Sequence, residues 1–382
     1  MSVKVLLFTN LYPCAAEPLH GSFVRERTER LAERMGFDYE VLRPSPRLAG
    51  PLGKWTRKQR WTEQWEGRRV HHVRYPHVPV IGWTQQDRRL VAGVRGAFGD
   101  IVSALGPDLV DAHYLYPDAL AAISLSREVS IPCVATARGT DVNVLALEPR
   151  IQSRFISGLQ QAAGVAAVSP ALAGILEREL GLVDVHVTPN GVDLDDFRPA
   201  PEGQPLVDRL ISVGRLVPGK ALDYLIEALA LEPRLPRLEL IGSGPEEARL
   251  RKLARQRHVE DRVLFHGSLT RRELAAELAK GGIFAFPSRR EGWPNAVLEA
   301  LACGLPVCAS ATGGIPDILG KCGHLVPLHE GPDEWARTLW QLHRLQAEDP
   351  QRLSALARAR AERFSWDISL DLCEAFFEEA LA

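Results

Sequence analysis

The 382-residue sequence has no apolar run that approaches the roughly 18 residues needed to cross a bilayer, so it predicts no membrane-spanning helix. Residues 1–8 are too short for a signal peptide and are predicted instead to form a first β-strand. The six cysteines contain no C-x-x-C pair, which indicates buried thiols in a reducing cytoplasm. A formal net charge of −2 argues against nucleic acid as the main partner.

Several motifs that bind metals or phosphates are also missing. The histidines show no H-E-x-x-H or comparable spacing, so we predict no metal site and no cofactor. Ala221 follows Lys220 where a P-loop needs Ser or Thr, and Ile241–Pro245 offers only G-x-G. Asp193-Leu194-Asp195 has the D-x-D form that holds a divalent metal on a diphosphate in some enzymes. We reject it as that motif because it lies in the exit from the first half of the chain.

Short β-branched runs alternate with helical patterns along both halves of the sequence. The predicted strands are Val3–Phe8, Glu40–Leu42, Val70–Val73, Leu109–Asp111, Cys133–Ala135, Val165–Val168, Val185–Thr188, Leu210–Val213, Leu238–Ile241, Val263–Phe265, Ile283–Phe286, Val307–Ala309 and His324–Val326. Two consecutive βαβ series predict an α/β protein with two doubly wound, Rossmann-like domains that face each other across a cleft. We predict a first domain at 1–197, a proline-rich linker at 198–205 and a second domain at 206–364.

Two glutamates flank the start of a predicted helix in the second half. Glu291 lies in a strand-to-helix loop that Pro294 ends, and Glu299 lies more than a turn into the helix. Both can point at one ligand above the helix N-terminus, where unpaired N–H groups favour an anion. Two hydroxyl-binding carboxylates beside an anion site suit a sugar nucleotide. The alternative is a helix with two solvated glutamates.

A pair of basic residues follows another predicted strand. Arg215 and Lys220 come after Leu210–Val213 and before a helical pattern, where they can hold phosphate oxygens. The alternative interpretation is that both are ordinary surface charges.

Polar residues also follow two strands of the first half. His113 ends one strand, and Arg138 and Asp141 follow the next. Parallel strands end at the same edge of a sheet, so these three side chains can converge there on an acceptor or a leaving phosphate. Each of them taken alone is more often structural.

The segment 43–100 contains twelve Arg or Lys residues against four acidic ones, with four tryptophans interleaved. Basic residues with tryptophan suit an anionic membrane surface or an anionic lipid-linked acceptor, and 54–69 is the stretch we assign to that contact. The alternative is a solvated surface helix that packs its tryptophans inward.

Taken together, these residues resemble the family 4 glycosyltransferases, retaining enzymes of the GT-B fold. The resemblance rests on motifs that keep their order and spacing: Pro189–Asp193, Gly214-Arg215 with Lys220, Glu291 with Glu299, Cys303-Gly304 and Phe364–Asp367. Residues 113–118 and 136–141 are similar to those of bacterial teichuronic acid biosynthesis transferases. The resemblance also implies that a last helix, 365–382, joins the first domain.

The resemblance implies a role for each site residue. Arg215 and Lys220 would hold the donor diphosphate, Glu299 the ribose and Glu291 the donor sugar. The amides near Asn295, Ala296 and Val297 would help to bind the donor, and Gly21 would approach its phosphate. His113 would lie near the reacting carbon, with Arg138 and Asp141 near the acceptor. This chain departs from many relatives at Arg138, where they have histidine, and in having only Gly21 where they have Gly-Gly.

The sequence therefore predicts a metal-independent hexosyltransferase. It would move a sugar from a nucleotide diphosphate sugar, UDP favoured over GDP, to a cell-surface polysaccharide or its lipid-linked precursor. We expect it in the cytoplasm, peripherally on the inner face of the plasma membrane. Two other functions fit the same architecture, namely a UDP-sugar 2-epimerase and a non-catalytic protein that binds sugar nucleotides.

Overall fold

The structure is a computed structural model that describes residues 3–48, 59–77, 83–201 and 206–382. Its internal contacts divide the chain into two compact units. The first unit consists of Met1–Pro189 with Leu370–Ala382, and the second consists of Asn190–Ser369. Within the described residues, each unit contains one β-sheet.

The strands of the first unit are β1 (Lys4–Phe8), β2 (Asp38–Leu48), β3 (Arg60–Trp65), β4 (Arg68–His77), β5 (Leu109–His113), β6 (Cys133–Ala137), β7 (Gly164–Ala167) and β8 (His186–Val187). Within the described residues they are ordered β3-β4-β2-β1-β5-β6-β7-β8. Its helices are α1 (Ser22–Met35), α2 (Gln86–Leu105), α3 (Leu120–Glu128), α4 (Pro149–Leu159) and α5 (Pro170–Arg178). The sheet is parallel apart from the antiparallel pair β3 and β4.

The burial of the central strands of this sheet explains why the sequence predicted them. β5 and β6 are buried at every residue, and β1 at every residue except Lys4. Parallel strands covered by helices on both faces need continuous apolar runs, and such runs are what the sequence shows.

One strand of the first unit differs from the prediction. A surface helix was the alternative interpretation of the basic, tryptophan-rich segment. In the structure, Arg60–Trp65 instead forms the edge strand β3, which pairs with β4. Its residues alternate between exposed and half-buried, so the apolar run typical of a strand is absent. Residues 54–58 of the proposed membrane-contact segment lie outside the described residues.

The strands of the second unit are β9 (Leu210–Val213), β10 (Leu238–Ile241), β11 (Val263–Gly267), β12 (Ile283–Phe286), β13 (Val307–Ser310) and β14 (His324–Val326). In the described residues they form a parallel sheet ordered β11-β10-β9-β12-β13-β14. Its helices are α6 (Asp223–Leu231), α7 (Glu247–Gln256), α8 (Arg271–Ala279), α9 (Asn295–Ala302), α10 (Ile315–Leu319), α11 (Gly331–Glu348) and α12 (Pro350–Glu362). Short helical turns, left unlabelled, cover Trp83–Gln85, Leu115–Ala119, Asp141–Ala146, Pro218–Lys220, Glu260–Arg262 and Leu328–Glu330.

The division between the units differs from the predicted boundaries. Residues after Pro189 group with the second unit because Arg358 of α12 donates hydrogen bonds to the carbonyls of Leu194 and Phe197. The predicted linker at 198–205 therefore follows a segment that is hydrogen-bonded to α12 of the second unit, and its residues 202–205 lie outside the described part of the chain.

The last helix, α13 (Trp366–Leu381), contributes residues to both units. Within the first unit Phe377 stacks on Phe37 with ring centroids 5.9 Å apart, and Phe376 packs on His186 at 5.0 Å. Among the helices that the structure describes, none combines the length and the apolar character needed to span a bilayer.

Candidate functional site

The loops after β9 and β12 lie where the strand order of the second sheet reverses. From β9 the chain proceeds outward to β10 and β11, whereas β12, on the other side of β9, leads to β13 and β14. Open parallel sheets bind ligands outside the carboxyl ends of their strands at such a switch point. Arg215 and Lys220 follow β9 and Glu291 follows β12, so all three lie where the topology favours a ligand.

Lys220 and Glu291 form an ion pair across this switch point. The Nζ atom of Lys220 lies 2.5 Å from Oε1 of Glu291 and 4.7 Å from the ring centroid of Phe286. Their side chains are only 23% and 12% exposed, so Glu291 is not the solvated glutamate of the alternative interpretation. Arg215, by contrast, is exposed. A partly desolvated ammonium group and an accessible guanidinium group thus occupy one loop.

Backbone contacts join the loops around this ion pair. The N–H of Arg289 donates to the carbonyl of Gly219 at 2.8 Å, which ties the loop after β12 to the loop after β9. Gly313, after β13, has φ +54°, and a Cβ there would lie 1.9 Å from the carbonyl oxygen of Glu291. Only glycine fits so close an approach at positive φ. The three loops therefore form one connected surface at the carboxyl ends of their strands.

The start of α9 is held by a residue from a distant motif. Asn190 donates from Nδ2 to Oδ1 of Asn295 at 3.1 Å, and its carbonyl accepts the indole N–H of Trp293 at 2.9 Å. Of the amides assigned to the donor, that of Val297 already donates to the carbonyl of Pro294 at 3.0 Å. Sequence reasoning gave Asn190 no role, and only its place in the Pro189–Asp193 motif hinted at one.

Glu299 lies within α9, as the sequence predicts. Its side chain is half-buried, and Ala296 precedes it by three residues, which places both on neighbouring positions of one helix face. Glu299 therefore has the position expected of a residue that contacts a ligand beside the first turn of α9.

In the first unit, His113 is a buried, neutral histidine. Its Nδ1 accepts hydrogen bonds from Nε and Nη2 of Arg138, at 3.1 and 2.6 Å. A guanidinium group only donates, so the ring proton lies on Nε2, which donates to Asp111 at 3.0 Å. Burial, with Arg138 adding to it and Asp111 opposing it, lowers the pKa of His113 to about 4. The imidazole is 0% exposed and both of its nitrogens form hydrogen bonds, so the ring holds Arg138 in place.

Two buried carboxylates fix the loops at this edge of the first sheet. Asp141 accepts from the N–H groups of Leu115, at 2.7 Å, and Gly139, at 2.7 Å, and thereby joins the loops after β5 and β6. Asp118 accepts from the N–H of Asn10 at 2.6 Å and joins the loop after β5 to that after β1. Asp141 therefore positions backbone rather than presenting its carboxylate at the surface. Burial raises the pKa of both groups, that of Asp118 to about 8.

Gly21 and Arg138 come together at the same edge. Gly21 precedes α1 with φ +70°, and a Cβ on it would lie 2.2 Å from the carbonyl carbon of Leu11. The guanidinium group of Arg138 lies 5.5 Å from the ring centroid of Phe23, in the first turn of α1. The structure thus brings four first-half site residues to one sheet edge: Gly21, His113, Arg138 and Asp141.

The D-x-D sequence serves a structural purpose. Oδ1 of Asp193 accepts from the N–H groups of Asp195 and Asp196, at 3.0 and 2.9 Å, and Asp196 pairs with Arg271 at 2.7 Å. These contacts cap a turn.

One cluster of potential metal ligands was not predicted from the spacing of residues in the sequence. Cys14, Glu63 and His72 bring potential metal-ligand atoms within 4.8 Å of one another. The prediction of no metal site came from linear spacing, which cannot detect ligands brought together from a loop and two strands.

Two family profiles and several curated proteins match this chain, and together the matches cover most of it. A family profile described as "Glycosyltransferase Family 4" matches residues 21–196, and one described as "Glycosyl transferases group 1" matches 207–344. The putative teichuronic acid biosynthesis glycosyltransferase TuaC of Bacillus subtilis is 31% identical over 344 residues, 85% of each chain. The D-inositol 3-phosphate glycosyltransferase of Mycolicibacterium paratuberculosis is 35% identical over 52% of this chain and 48% of its own.

Solved structures match nearly the full length. Sucrose-phosphate synthase from Thermosynechococcus elongatus has a TM-score of 0.73 over 99% of both chains at 21% identity. Anabaena Alr3699/HepE, solved in complex with UDP, has a TM-score of 0.68 over 99% of this chain and 100% of its own, at 19% identity. These likenesses confirm the predicted GT-B fold, with two Rossmann-like α/β domains.

Proposed function

The chain belongs to the glycosyltransferases described as family 4 and group 1, and we propose that it is a retaining enzyme whose donor is a nucleotide diphosphate sugar. The observation that carries the proposal is the pairing of Lys220 with Glu291 at the switch point of the second sheet, beside the exposed Arg215. That arrangement brings a cation and a carboxylate together in the loops after β9 and β12, and the second of these loops leads into α9.

The donor diphosphate binds to Arg215 and Lys220 in this proposal. The bond between the sugar and the diphosphate breaks as negative charge grows on the leaving phosphate, and fixed cations stabilise that charge. Two side-chain cations and the first turn of α9 supply the positive charge that a bound metal ion supplies in other transferases. We therefore propose that transfer needs no metal on the donor.

The two glutamates divide the recognition of the donor. Glu299, on α9, accepts hydrogen bonds from the ribose hydroxyls, and Glu291 accepts from hydroxyls of the transferred sugar. Its contact with Lys220 orients Glu291 before the donor arrives. A carboxylate held in this way discriminates by the positions of sugar hydroxyls.

UDP is the nucleotide we favour. Anabaena Alr3699/HepE was solved with UDP and with UDP-glucose, and the pneumococcal O-GlcNAc transferase GtfA was solved with UDP and GlcNAc. Both share only the fold with this chain, so they support the choice of UDP by analogy.

The acceptor we propose is a cell-surface polysaccharide or its lipid-linked precursor. The support is the likeness to the teichuronic acid transferase TuaC over 85% of the chain. Arg138, oriented by His113, is the acceptor-side cation of the first unit in this proposal. In this proposal His113 acts by positioning Arg138.

We further propose that the protein works on the inner face of the plasma membrane. Arg60, Arg68 and Arg74 lie on β3 and β4, and Arg74 stacks on Trp61 with 5.0 Å between guanidinium carbon and ring centroid. Basic residues beside tryptophan suit an anionic lipid surface. Arg60 and Arg68 have acidic partners, Asp100 and Asp38, so this attraction is weaker than the count of basic residues indicates.

One assay tests the function. Purified protein is incubated with labelled UDP-sugars, with and without bacterial membranes that carry acceptor. The proposal requires labelled sugar in the glycan or lipid fraction only when membranes are present. Free UDP and an epimerised sugar without any acceptor would show an epimerase instead, and donor binding without turnover would show a binding protein.

A further inference from the structure

Three side chains of metal-binding type meet in the first unit. Cys14 lies in the loop after β1, Glu63 on β3 and His72 on β4, and one ligand atom from each lies within 4.8 Å of the others. The strand register pairs His72 with Trp61 and Glu63 with Val70, so Glu63 and His72 are diagonal neighbours on one face of the hairpin. The hairpin thus supplies two ligands and the loop supplies the third.

The chemistry and spacing of these groups suit zinc. Thiolate, imidazole and carboxylate are its usual ligands, and three protein ligands leave a fourth position for water or another group. Oε1 of Glu63 lies 2.9 Å from Nε2 of His72. In a tetrahedral zinc site neighbouring nitrogen and oxygen ligands lie about 3.3 Å apart, as follows from bonds of about 2.0–2.2 Å. An ion can therefore enter with side-chain shifts of less than about an ångström between these two groups.

The surroundings hold the ligands in place. His72 is 2% exposed, and its ring stacks on Trp61 with centroids 4.5 Å apart and planes 3° from parallel. Glu63 also accepts from the N–H of Ala15 at 3.4 Å, which already ties the hairpin to the loop that carries Cys14. That loop is fixed in turn by Arg43, whose Nε donates to the carbonyl of Tyr12 at 2.9 Å.

The ring nitrogen of His72 that faces Glu63 is Nε2, so an ion between these two side chains binds His72 through Nε2.

We propose that Cys14, Glu63 and His72 bind a zinc ion that fastens the loop after β1 to the β3–β4 hairpin. The same loop leads to Gly21 and α1, so the ion would set the position of that loop. The site belongs to the first unit and is separate from Arg215 and Lys220 of the second, so it does not depend on the proposed sugar transfer.

Cobalt substitution tests this site without any assay of activity. Metal-free full-length protein is titrated with Co²⁺, which replaces Zn²⁺ and absorbs light when bound to a thiolate. We expect one equivalent to produce a thiolate-to-cobalt charge-transfer band and the intense visible bands of a four-coordinate ion, and Zn²⁺ to remove both. No saturable band at one equivalent would overturn the proposal.

Matched variants show which residues bind the ion. Cys14→Ser should abolish the charge-transfer band, whereas Cys322→Ser, which removes a half-buried thiol of the second unit, should leave it unchanged. His72→Gln should lower the affinity for Zn²⁺ by at least roughly 10-fold, whereas His71→Gln should not. If Cys14→Ser does not fold, as judged by circular dichroism, Glu63→Gln replaces it. A band that survives in Cys14→Ser, or equal losses in the test and control variants, would refute the site.

Discussion

Replacing Lys220 with alanine is the sharpest test of the donor site. Lys220 is one of two basic residues in the loop after β9, and its ammonium group lies 2.5 Å from Glu291. If Lys220 holds the diphosphate, the variant should bind UDP more weakly while its fold stays intact. Since Lys220 and Glu291 are paired, the effect of each substitution depends on the other, and the two must be measured together.

The size of the effect follows from the charges. A hydrogen bond between charged groups contributes about 1.5–3 kcal/mol, and about 1.4 kcal/mol corresponds to a tenfold change in affinity. Lys220→Ala should therefore weaken UDP binding roughly 10- to 100-fold. Glu291→Gln removes a negative charge beside the diphosphate and releases Lys220, so UDP should bind at least as tightly as to the wild type. Turnover of the UDP-sugar should nevertheless fall, because the sugar loses its carboxylate partner.

Calorimetric titration of UDP into wild type, both single variants and the double variant measures this. Lys280→Ala is the matched control, because Lys280 also pairs with a glutamate at 2.5 Å but precedes β12 and so lies near the opposite ends of the strands. Thermal unfolding of each variant confirms that it is folded. UDP affinity in Lys220→Ala equal to that of Lys280→Ala would refute the assignment of the diphosphate to this loop.

Five further predictions test the other parts of the proposal. Glu299→Gln should weaken binding of UDP itself by roughly 10-fold, because the ribose hydroxyls lose a charged hydrogen-bond acceptor. Glu291→Gln should not weaken UDP binding, and the reverse pattern would mean that the two roles are exchanged. His113→Ala should lower turnover strongly while UDP affinity stays near wild type, and a fully active variant would leave His113 with a structural role only. Burial lowers the pKa of His113 from 6.5 to about 4, so between pH 4 and pH 6.5 the unfolded chain binds a proton that the folded protein does not. The free energy of unfolding should therefore rise with pH over this range, and it should rise less in His113→Gln. Urea denaturation at several pH values measures both. Anionic liposomes should float the protein at low salt and release it at high salt, since each basic residue near the surface adds about 1 kcal/mol, and failure to float would indicate an acceptor in solution. Sugar transfer should survive EDTA with the donor's anomeric configuration kept, and dependence on added manganese or an inverted product by NMR would exclude the proposed mechanism.

Much of the fold was predictable because its sheets are parallel and buried. Leu210–Val213, Leu238–Ile241 and Ile283–Phe286 form strands with the predicted limits, since a strand covered on both faces must be apolar throughout. The edge strand Arg60–Trp65 was missed because its exposed position allows polar residues along its length. The helix α9 ends at Ala302, and Gly304 follows it with φ +74°, a backbone conformation that favours glycine just after a helix.

The candidate site was only partly predictable. Residues that follow a strand can be placed at its carboxyl end from the sequence alone, which located Arg215, Lys220 and Glu291 in the second unit and His113 and Arg138 in the first. The sequence could not show that His113 is fully buried, because burial depends on what packs around a residue.

The sequence by itself determined the order of elements, the sheet edge at which each polar residue lies and the family motifs, because these depend on local periodicity and on residues close together in the chain. Only the tertiary structure decided which side chains meet: Lys220 with Glu291, Asn190 with Asn295, and Cys14 with Glu63 and His72. Those partners are separated by 71, 105 and up to 58 positions. Contacts over such separations are set by strand order and loop packing, which no local pattern encodes.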